Sequence, residues 1–190
     1  LSPIQVEAGR KYNEQAGLSK KVFLEARDMM TLDAGVGQFD LIWSLESAEH
    51  IADKQKLVDL CFERLNPGGR LVMATWCHRP TDSLAGALIW AEAQQLNWIY
   101  DVYGLPYVIS LPEYEEIAQN CGFRNMQTAD WTQAVAPFWD EVIISALTPD
   151  ALAGLIQAGP GTIRGAFALW PMRQGMQSGL IRYGLLQGVR

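Results

Sequence analysis

The sequence has few charged residues, and basic ones are the scarcer kind. Charged residues make up 19% of the 190, with 21 Asp and Glu against 15 Lys and Arg, so the formal net charge is −6. A negative field repels a phosphate backbone, and we expect no nucleic-acid partner. Hydrophobic residues account for 49%, which is typical of a folded domain and excludes a disordered chain.

A long uninterrupted hydrophobic run is also absent. A membrane-spanning helix needs about 20 mostly apolar residues. The most apolar stretch covers residues 84–109 and is interrupted by Glu92, Gln94, Gln95, Asn97 and Asp101. The chain also opens without a basic segment followed by an apolar one, as a secretory signal would have. These absences predict no transmembrane helix and a cytoplasmic location.

Cysteine is scarce and irregularly spaced. Cys61, Cys77 and Cys121 are an odd number at wide intervals, which suits neither a disulfide framework nor paired metal ligands. We expect reduced thiols in packed positions and no metal site.

A helix start opens the chain. Ser2, Pro3 and Gln5 have the pattern of an N-cap, a first-turn proline and the glutamine of a capping box. They predict a helix over Pro3–Gln15. Because no strand precedes it, we expect residues 1–190 to be a single domain whose first elements lie upstream of Leu1.

Strand and helix patterns then alternate. The segments Lys21–Ala26 and Phe39–Ser44 are short and apolar, as buried strands are. Helical spacing from Asp53 onward ends at Asn66-Pro67-Gly68-Gly69, and Arg70–Cys77 predicts a third strand. This alternation indicates an α/β fold with a mostly parallel sheet flanked by helices.

The remaining chain predicts five helices and two strands. The helices are expected over Thr81–Tyr103, Pro112–Asn120, Pro137–Leu147, Asp150–Ala158 and Ile163–Gln177, and the strands over Phe123–Trp131 and Ile181–Val189.

Four strings carry a family resemblance. They are Leu-Asn-Pro-Gly-Gly-Arg-Leu-Val-Met (65–73), Trp-Ser-Leu-Glu-Ser-Ala-Glu-His (43–50), Ala-Thr-Trp-Cys-His-Arg (74–79) and Val-Ala-Pro-Phe-Trp-Asp-Glu-Val-Ile (135–143). Together they resemble the γ-tocopherol methyltransferases, over nearly all 190 residues. Indole-alkaloid N-methyltransferases share the pattern, and methyltransferases of glycine derivatives share it more remotely. The resemblance implies a class I methyltransferase (Rossmann-like) fold, a seven-stranded sheet with its first two strands upstream of Leu1, and S-adenosylmethionine as cofactor.

The sequence departs from that family in its glycine-rich cofactor loop, which is missing. Gly35-Val36-Gly37 precedes a strand instead of following one and therefore predicts a turn. Because the missing loop is where the backbone approaches the cofactor, the fragment alone is expected to bind cofactor poorly. Unpaired strand edges predict that it is unstable or aggregates. A truncated, non-catalytic remnant is therefore an alternative.

The resemblance implies six cofactor contacts: Gln5, Arg27, Asp28, Met29, Ser44 and Glu46. Gln5 would bind the ribose hydroxyls, or would only complete the capping box. Asp28 would accept a hydrogen bond from the adenine amino group, or would only cap a loop. Ser44 and Glu46 follow a strand end, where parallel sheets bind ligands.

Glu49 and His50 are the predicted catalytic residues. Two carboxylates and an imidazole between Glu46 and His50 are costly to bury unless they have partners. His50 would be the base that deprotonates a phenol, with Glu49 as its orienting or alternate partner. The predicted acceptor contacts are Trp76, His78, Tyr103 and Tyr107, although His78 could equally make a structural hydrogen bond and the aromatic rings could be core.

The implied reaction is transfer of a methyl group to a ring carbon of a small, lipophilic acceptor, such as a prenylated chromanol or quinol. An amine nitrogen of a related acceptor is the alternative. Such an acceptor makes peripheral membrane association possible and, in a photosynthetic source, a plastid or thylakoid location. The sequence leaves the oligomeric state open.

Overall fold

The computed structural model describes residues 2–151, 154 and 160–190. The chain forms two compact units, Leu1–Gly37 and Gln38–Arg190. The division into units does not test the expectation of a single domain, which stays a prediction. Within the described residues, no helix is both long and apolar enough to cross a membrane.

The first unit contains helix α1, Pro3–Gln15. The Ser2 hydroxyl accepts a hydrogen bond from the Gln5 amide at 3.3 Å, which confirms the N-cap. Two short 3-10 turns follow, Met29–Thr31 and Ala34–Val36, and the second confirms the turn predicted around Gly35.

The strand predicted over Lys21–Ala26 is wrong, because residues 22–28 form no strand. Side chains of α1 occupy the backbone acceptors that a neighbouring strand would use. The Arg10 guanidinium donates to the Leu24 carbonyl at 2.7 Å, and the Asn13 amide donates to the Val22 carbonyl at 3.3 Å. An apolar run forms a strand only where a second strand completes its hydrogen bonds.

The second unit is built on a four-stranded sheet among the described residues. Its strands are β1 (Phe39–Leu45), β2 (Leu65–His78), β3 (Arg124–Asp130) and β4 (Ile181–Val189), in the order β1-β2-β4-β3. The β1-β2 pair is parallel, and β4 runs antiparallel to both β2 and β3. One strand pair is parallel and two are antiparallel, so the described sheet is mixed. The α/β prediction is confirmed.

Six helices of this unit have described bounds. They are α2 (Lys54–Arg64), α3 (Trp90–Tyr103), α4 (Leu111–Cys121), α5 (Thr132–Val135), α6 (Pro137–Ala146) and α7 (Pro160–Ser178). The predicted helix over Asp150–Ala158 lies largely outside the described residues. Helix α2 packs on α4, whereas α3 and α6 pack on α7.

Two boundaries differ from the prediction by five residues or more. The helix expected over Thr81–Tyr103 begins only at Trp90. Arg79 holds the preceding loop by donating to the Gly86 carbonyl, and it forms a 2.7 Å ion pair with Glu92 in the first turn of α3. Strand β2 begins at Leu65 instead of Arg70, because Leu65 pairs with Phe39 of β1, and backbone bonds with Arg190 hold Gly68 and Gly69.

A hydrophobic core cluster lies on one face of the sheet. Consecutive residues of a strand point to opposite faces, so Ala74 and Trp76 share one face of β2 while Thr75 and Cys77 share the other. On the first face, buried side chains from α3, α6 and α7 form a cluster with Ala74 and Tyr183. As predicted, the cysteines are free, and burial raises the pKa of Cys61 to about 11.

Candidate functional site

The turn that follows β1 carries a strained glutamate. Glu46 has a φ of 47°, in the left-handed region that favours glycine. Such a conformation costs about 1–3 kcal/mol and persists only where the surroundings fix it. The Glu46 amide donates to the Ala74 carbonyl at 2.9 Å, and the hydroxyls of Ser44 and Ser47 lie 2.8 Å apart beside it. The fold thus fixes the backbone that carries the Glu46 carboxylate.

The Glu46 carboxylate accepts a hydrogen bond from the Tyr183 hydroxyl at 3.0 Å. Tyr183 lies on β4, opposite Trp76 on β2, and is 4% exposed. Burial, and then the hydrogen bond to Glu46, raise the pKa of Tyr183 above its ordinary value, so the phenol stays a neutral donor. No sequence motif points to Tyr183, because only the strand register brings it to Glu46.

A cavity of about 350 Å³ lies beside this pair. It is lined by Glu46, Trp76, Ala134, Val135, Phe138, Trp139 and Tyr183. The Trp139 ring lies edge-to-face with Trp76 at 5.8 Å and with Phe138 at 5.5 Å between centroids. Among these lining residues Glu46 carries the only charge. Apolar, aromatic walls with one or two polar groups are typical of small-molecule sites.

Of the four predicted acceptor contacts, Trp76 lines the cavity and Tyr103 supports its wall. The Tyr103 ring is edge-to-face with Trp76, at 5.4 Å between centroids, and 6.5 Å from Trp139. Burial raises the pKa of Tyr103. Tyr103 therefore belongs to the aromatic cluster that gives the cavity its shape.

The other two predicted contacts lie elsewhere. Tyr107 lines a separate cavity of about 500 Å³, where its ring centroid is 5.5 Å from the Lys54 ammonium. His78 lies at the end of β2, and its Nδ1 is 2.5 Å from the Arg79 carbonyl oxygen, which is the structural hydrogen bond that was the alternative. The structure does not bring these residues to the aromatic cavity, and their contact with an acceptor stays a prediction.

Glu49 is a buried carboxyl group with a hydrogen-bond donor. It lies in a 3-10 turn, Ala48–His50, and is 2% exposed. Thr75 donates its hydroxyl to Glu49 at 2.6 Å, while burial raises the pKa of the carboxyl. The buried Lys54 ammonium donates to the carbonyls of Ala48 and Glu49 at 2.9 and 3.2 Å, and burial lowers the pKa of Lys54 to about 8. This network anchors the turn.

His50 ends the same turn and is exposed. It is not among the lining residues of the aromatic cavity. Neither Glu49 nor His50 lines the cavity, although the Glu49 carboxylate is near enough to Glu46 and Tyr183 to interact with them electrostatically. Their catalytic roles stay predictions.

We expect Thr75→Val to lower the free energy of unfolding by about 1–3 kcal/mol at pH 7, because valine leaves the buried Glu49 carboxylate without its donor. The folded-state pKa of Glu49 lies above the ordinary 4.5, so the folded protein binds this proton more tightly and stability falls as pH rises from about 4.5. The loss of unfolding free energy caused by Thr75→Val should be smaller at pH 4, where the carboxyl is protonated. Urea unfolding of the full-length protein at pH 4 to 8 measures both.

Thr75→Ser is the matched control for this prediction. Serine keeps the hydroxyl and loses only a methyl group, so its cost should not depend on pH. A valine variant whose cost is the same at pH 4 and pH 7 would contradict the role of Thr75 as donor to an ionised Glu49.

The predicted cofactor residues of the first unit have local partners. Asp28 caps a 3-10 turn by accepting from the Met30 amide at 2.9 Å, and Arg27 forms an exposed ion pair with Glu25 at 3.1 Å. Met29 is half-buried and starts that turn. The capping alternative for Asp28 is thus observed. For Gln5, only its backbone amide bonds to the Ser2 hydroxyl, and the side-chain half of the predicted capping box is not observed. The cofactor contacts of all four residues stay predictions.

Comparison with solved structures defines the class of protein. A candidate sarcosine dimethylglycine methyltransferase from Galdieria sulphuraria matches with a TM-score of 0.82 at 19% identity, covering 99% of this chain and 66% of that one. The chain therefore has the class I methyltransferase fold. The [4+2]-cyclase SpnF matches at a TM-score of 0.73 and 18% identity, covering 100% of this chain and 63% of that one. The fold alone therefore does not fix the reaction.

The particular family follows from the sequence. Residues 3–128 match a family model described as a methyltransferase domain, and the chain belongs to this family of S-adenosylmethionine-dependent methyltransferases. It is 40% identical over 186 residues to the "Probable tocopherol O-methyltransferase, chloroplastic" of Oryza sativa subsp. japonica, covering 98% of this chain and 51% of that protein. Norajmaline N-methyltransferase of Rauvolfia serpentina is 28% identical over 184 residues, covering 96% of this chain and 63% of that protein. The predicted resemblance is confirmed. The chain spans about half the length of the tocopherol relatives it matches.

Proposed function

We propose that the protein to which this chain belongs methylates a small, lipophilic aromatic alcohol, a chromanol or quinol with a prenyl tail, and that the aromatic cavity holds its ring. The observation that carries the proposal is the single carboxylate, Glu46, set in aromatic walls of a cavity of about 350 Å³. A phenol matches both features, because it has a flat apolar ring and a hydroxyl that donates to a carboxylate.

The walls of the cavity also suit the positively charged sulfonium end of a methyl donor. Aromatic ring faces and carboxylates both attract cations. Trp76 offers a ring and Glu46 offers a carboxylate to the same cavity. S-adenosylmethionine supplies, when bound, an electrophilic methyl group on a sulfonium. Trp76, Trp139 and Phe138 would hold the acceptor ring in place and exclude water from it.

We assign the role of general base to Glu46. A phenol that loses its proton to this carboxylate has more electron density on its oxygen and on its ring carbons, where a methyl group can be accepted. Transfer to a ring carbon would break the bond between the methyl group and the donor sulfur, leaving an uncharged thioether, and that ring carbon would then lose its own hydrogen as a proton to restore aromaticity. His50 was the base predicted from the sequence, but Glu46 and not His50 lines the cavity. The ring carbon remains the proposed acceptor atom. The phenol oxygen is the alternative that the name of the rice relative suggests.

An amine acceptor is the second candidate function. A carboxylate in aromatic walls also suits a protonated amine through cation–π attraction, and the Rauvolfia relative is named for N-methylation. Peripheral membrane association, which a prenylated acceptor favours, stays a prediction.

Filling the cavity tests the proposal. Ala134 is exposed and lines the cavity from α5, so Ala134→Trp should block the space without disturbing the core. We expect the KM of the full-length enzyme for a tocopherol to rise at least about tenfold, as lost pocket contacts of about 1–3 kcal/mol require. The Kd for S-adenosylhomocysteine, measured by calorimetry, should change less than about threefold.

Gln133→Trp is the matched control, because Gln133 is an exposed neighbour on the same short helix and does not line the cavity. Equal effects of the two tryptophans would contradict the acceptor site. Turnover of indole amines but not of tocopherols would favour the amine function, and no turnover of either would favour a non-catalytic protein.

A further inference from the structure

Tyr183 joins the last strand of the described sheet to the turn after the first. Its hydroxyl donates to Glu46 Oε1 at 3.0 Å across a sequence separation of 137 residues. The side chain is 4% exposed and lines the aromatic cavity. A buried phenol inside a small-molecule cavity, donating to the one charged lining residue, is well placed to orient that residue.

The backbone of Tyr183 is fixed by the junction of β3 and α5. Its amide donates to the Thr132 hydroxyl at 2.9 Å, and its carbonyl accepts from the Trp131 amide at 2.8 Å. Thr132 is itself held, because its amide donates to the Asp130 carboxylate at 2.9 Å. These bonds lie outside the sheet ladder and restrict where the Tyr183 ring can point.

The partner carboxylate is fixed from the opposite side. Glu46 has the left-handed backbone described above and is tied to the Ala74 carbonyl at 2.9 Å. With Oε1 bonded to Tyr183, the second oxygen, Oε2, remains to accept a hydrogen bond from a ligand in the cavity. A carboxylate restricted at both its backbone and one oxygen has fewer rotamers to lose when a ligand binds.

We propose that Tyr183 is a positioning residue that directs Glu46 Oε2 toward the hydroxyl of the acceptor, and thereby selects acceptors that donate a hydrogen bond. This inference rests on the proposed function, because it assumes that Glu46 acts on the acceptor. Tyr183 itself neither gives nor takes a proton in the reaction. It acts through the geometry of Glu46, so removing its hydroxyl should impair turnover more than binding.

The test is a double-mutant cycle in the full-length enzyme with a tocopherol acceptor. We expect Tyr183→Phe to lower kcat about 10- to 100-fold, which is less than the roughly 100- to 10,000-fold contribution of a general base because Glu46 itself remains, while KM for the acceptor changes less than about threefold. In the Glu46→Gln background the same substitution should change kcat less than about twofold, because the residue it positions is already disabled.

Tyr114→Phe is the matched control. Tyr114 is a fully buried tyrosine on α4 that does not line the cavity, so loss of its hydroxyl tests whether any buried phenol matters. It should leave kcat within about twofold in both backgrounds, as expected of independent sites. If Tyr183→Phe fails to fold, Thr132→Val replaces it in both backgrounds, because valine removes the hydroxyl that accepts from the Tyr183 amide and so releases the backbone that aims the ring.

The outcomes separate this inference from the proposed function. A kcat loss on Glu46→Gln with none on Tyr183→Phe would overturn the positioning role and leave the base role intact. An undiminished effect of Tyr183→Phe in the Glu46→Gln background would show a structural role instead. Unchanged kcat on Glu46→Gln would overturn both proposals.

Discussion

Glu46→Gln in the full-length enzyme is expected to lower kcat by about 100-fold or more, the contribution typical of a positioned general base. The amide keeps the size of the side chain and can still accept from the Tyr183 hydroxyl, but it cannot take a proton. Binding of S-adenosylhomocysteine should change little. Steady-state kinetics with a tocopherol, together with calorimetry of cofactor binding, measure the two effects separately.

Two further variants make this prediction specific. Glu141→Gln changes an exposed carboxylate on α6 and controls for the loss of one negative charge. His50→Ala tests the base predicted from the sequence, and a larger kcat loss there than for Glu46→Gln would return the role to His50. A rise in the Kd for cofactor without a loss of kcat would instead support the cofactor contact first predicted for Glu46.

Local sequence signals predicted those parts of the fold that local interactions determine. The start of α1 at Ser2-Pro3 and the strand over Ile181–Val189 match the prediction. A helix cap and a run of strand-forming residues each depend on only a few neighbouring residues. The strand expected over Lys21–Ala26 fails for the opposite reason. Its pattern is apolar, but strand formation depends on a partner, and Arg10 and Asn13 take two of its carbonyls.

The candidate site shows the same limit. The sequence placed Glu46, Glu49 and His50 at the end of a strand, but it could not show that the Glu46 carboxylate faces the cavity while Glu49 is buried against Thr75. Tyr183 carries no motif. It enters the site because β4 inserts between β2 and β3, so that its ring lies opposite Trp76. Such pairing is a property of the sheet and not of any segment.

Trp139→Ala is expected to lower the free energy of unfolding by about 3–5 kcal/mol, as large-to-small changes in cores do. Trp139 is 5% exposed, belongs to the core cluster with Met172 and Leu180, and also lines the cavity. Its removal takes away edge-to-face contacts with Trp76 and Phe138 in addition to buried area. Against a typical total of about 5–15 kcal/mol, this loss is a large part of the stability of a domain.

The comparison with Trp90 and with phenylalanine decides what the Trp139 ring contributes. Trp90 is 78% exposed, so Trp90→Ala should cost no more than about 0.5 kcal/mol. Trp139→Phe keeps an aromatic wall and should lose less stability than Trp139→Ala, while the acceptor KM rises in both. Urea unfolding followed by far-UV circular dichroism avoids the change in tryptophan fluorescence. A loss of stability for Trp139→Ala as small as that for Trp90→Ala would show that this cavity wall is not part of the core. The proposal that Trp139 helps to hold the acceptor ring in place would then lack its physical basis.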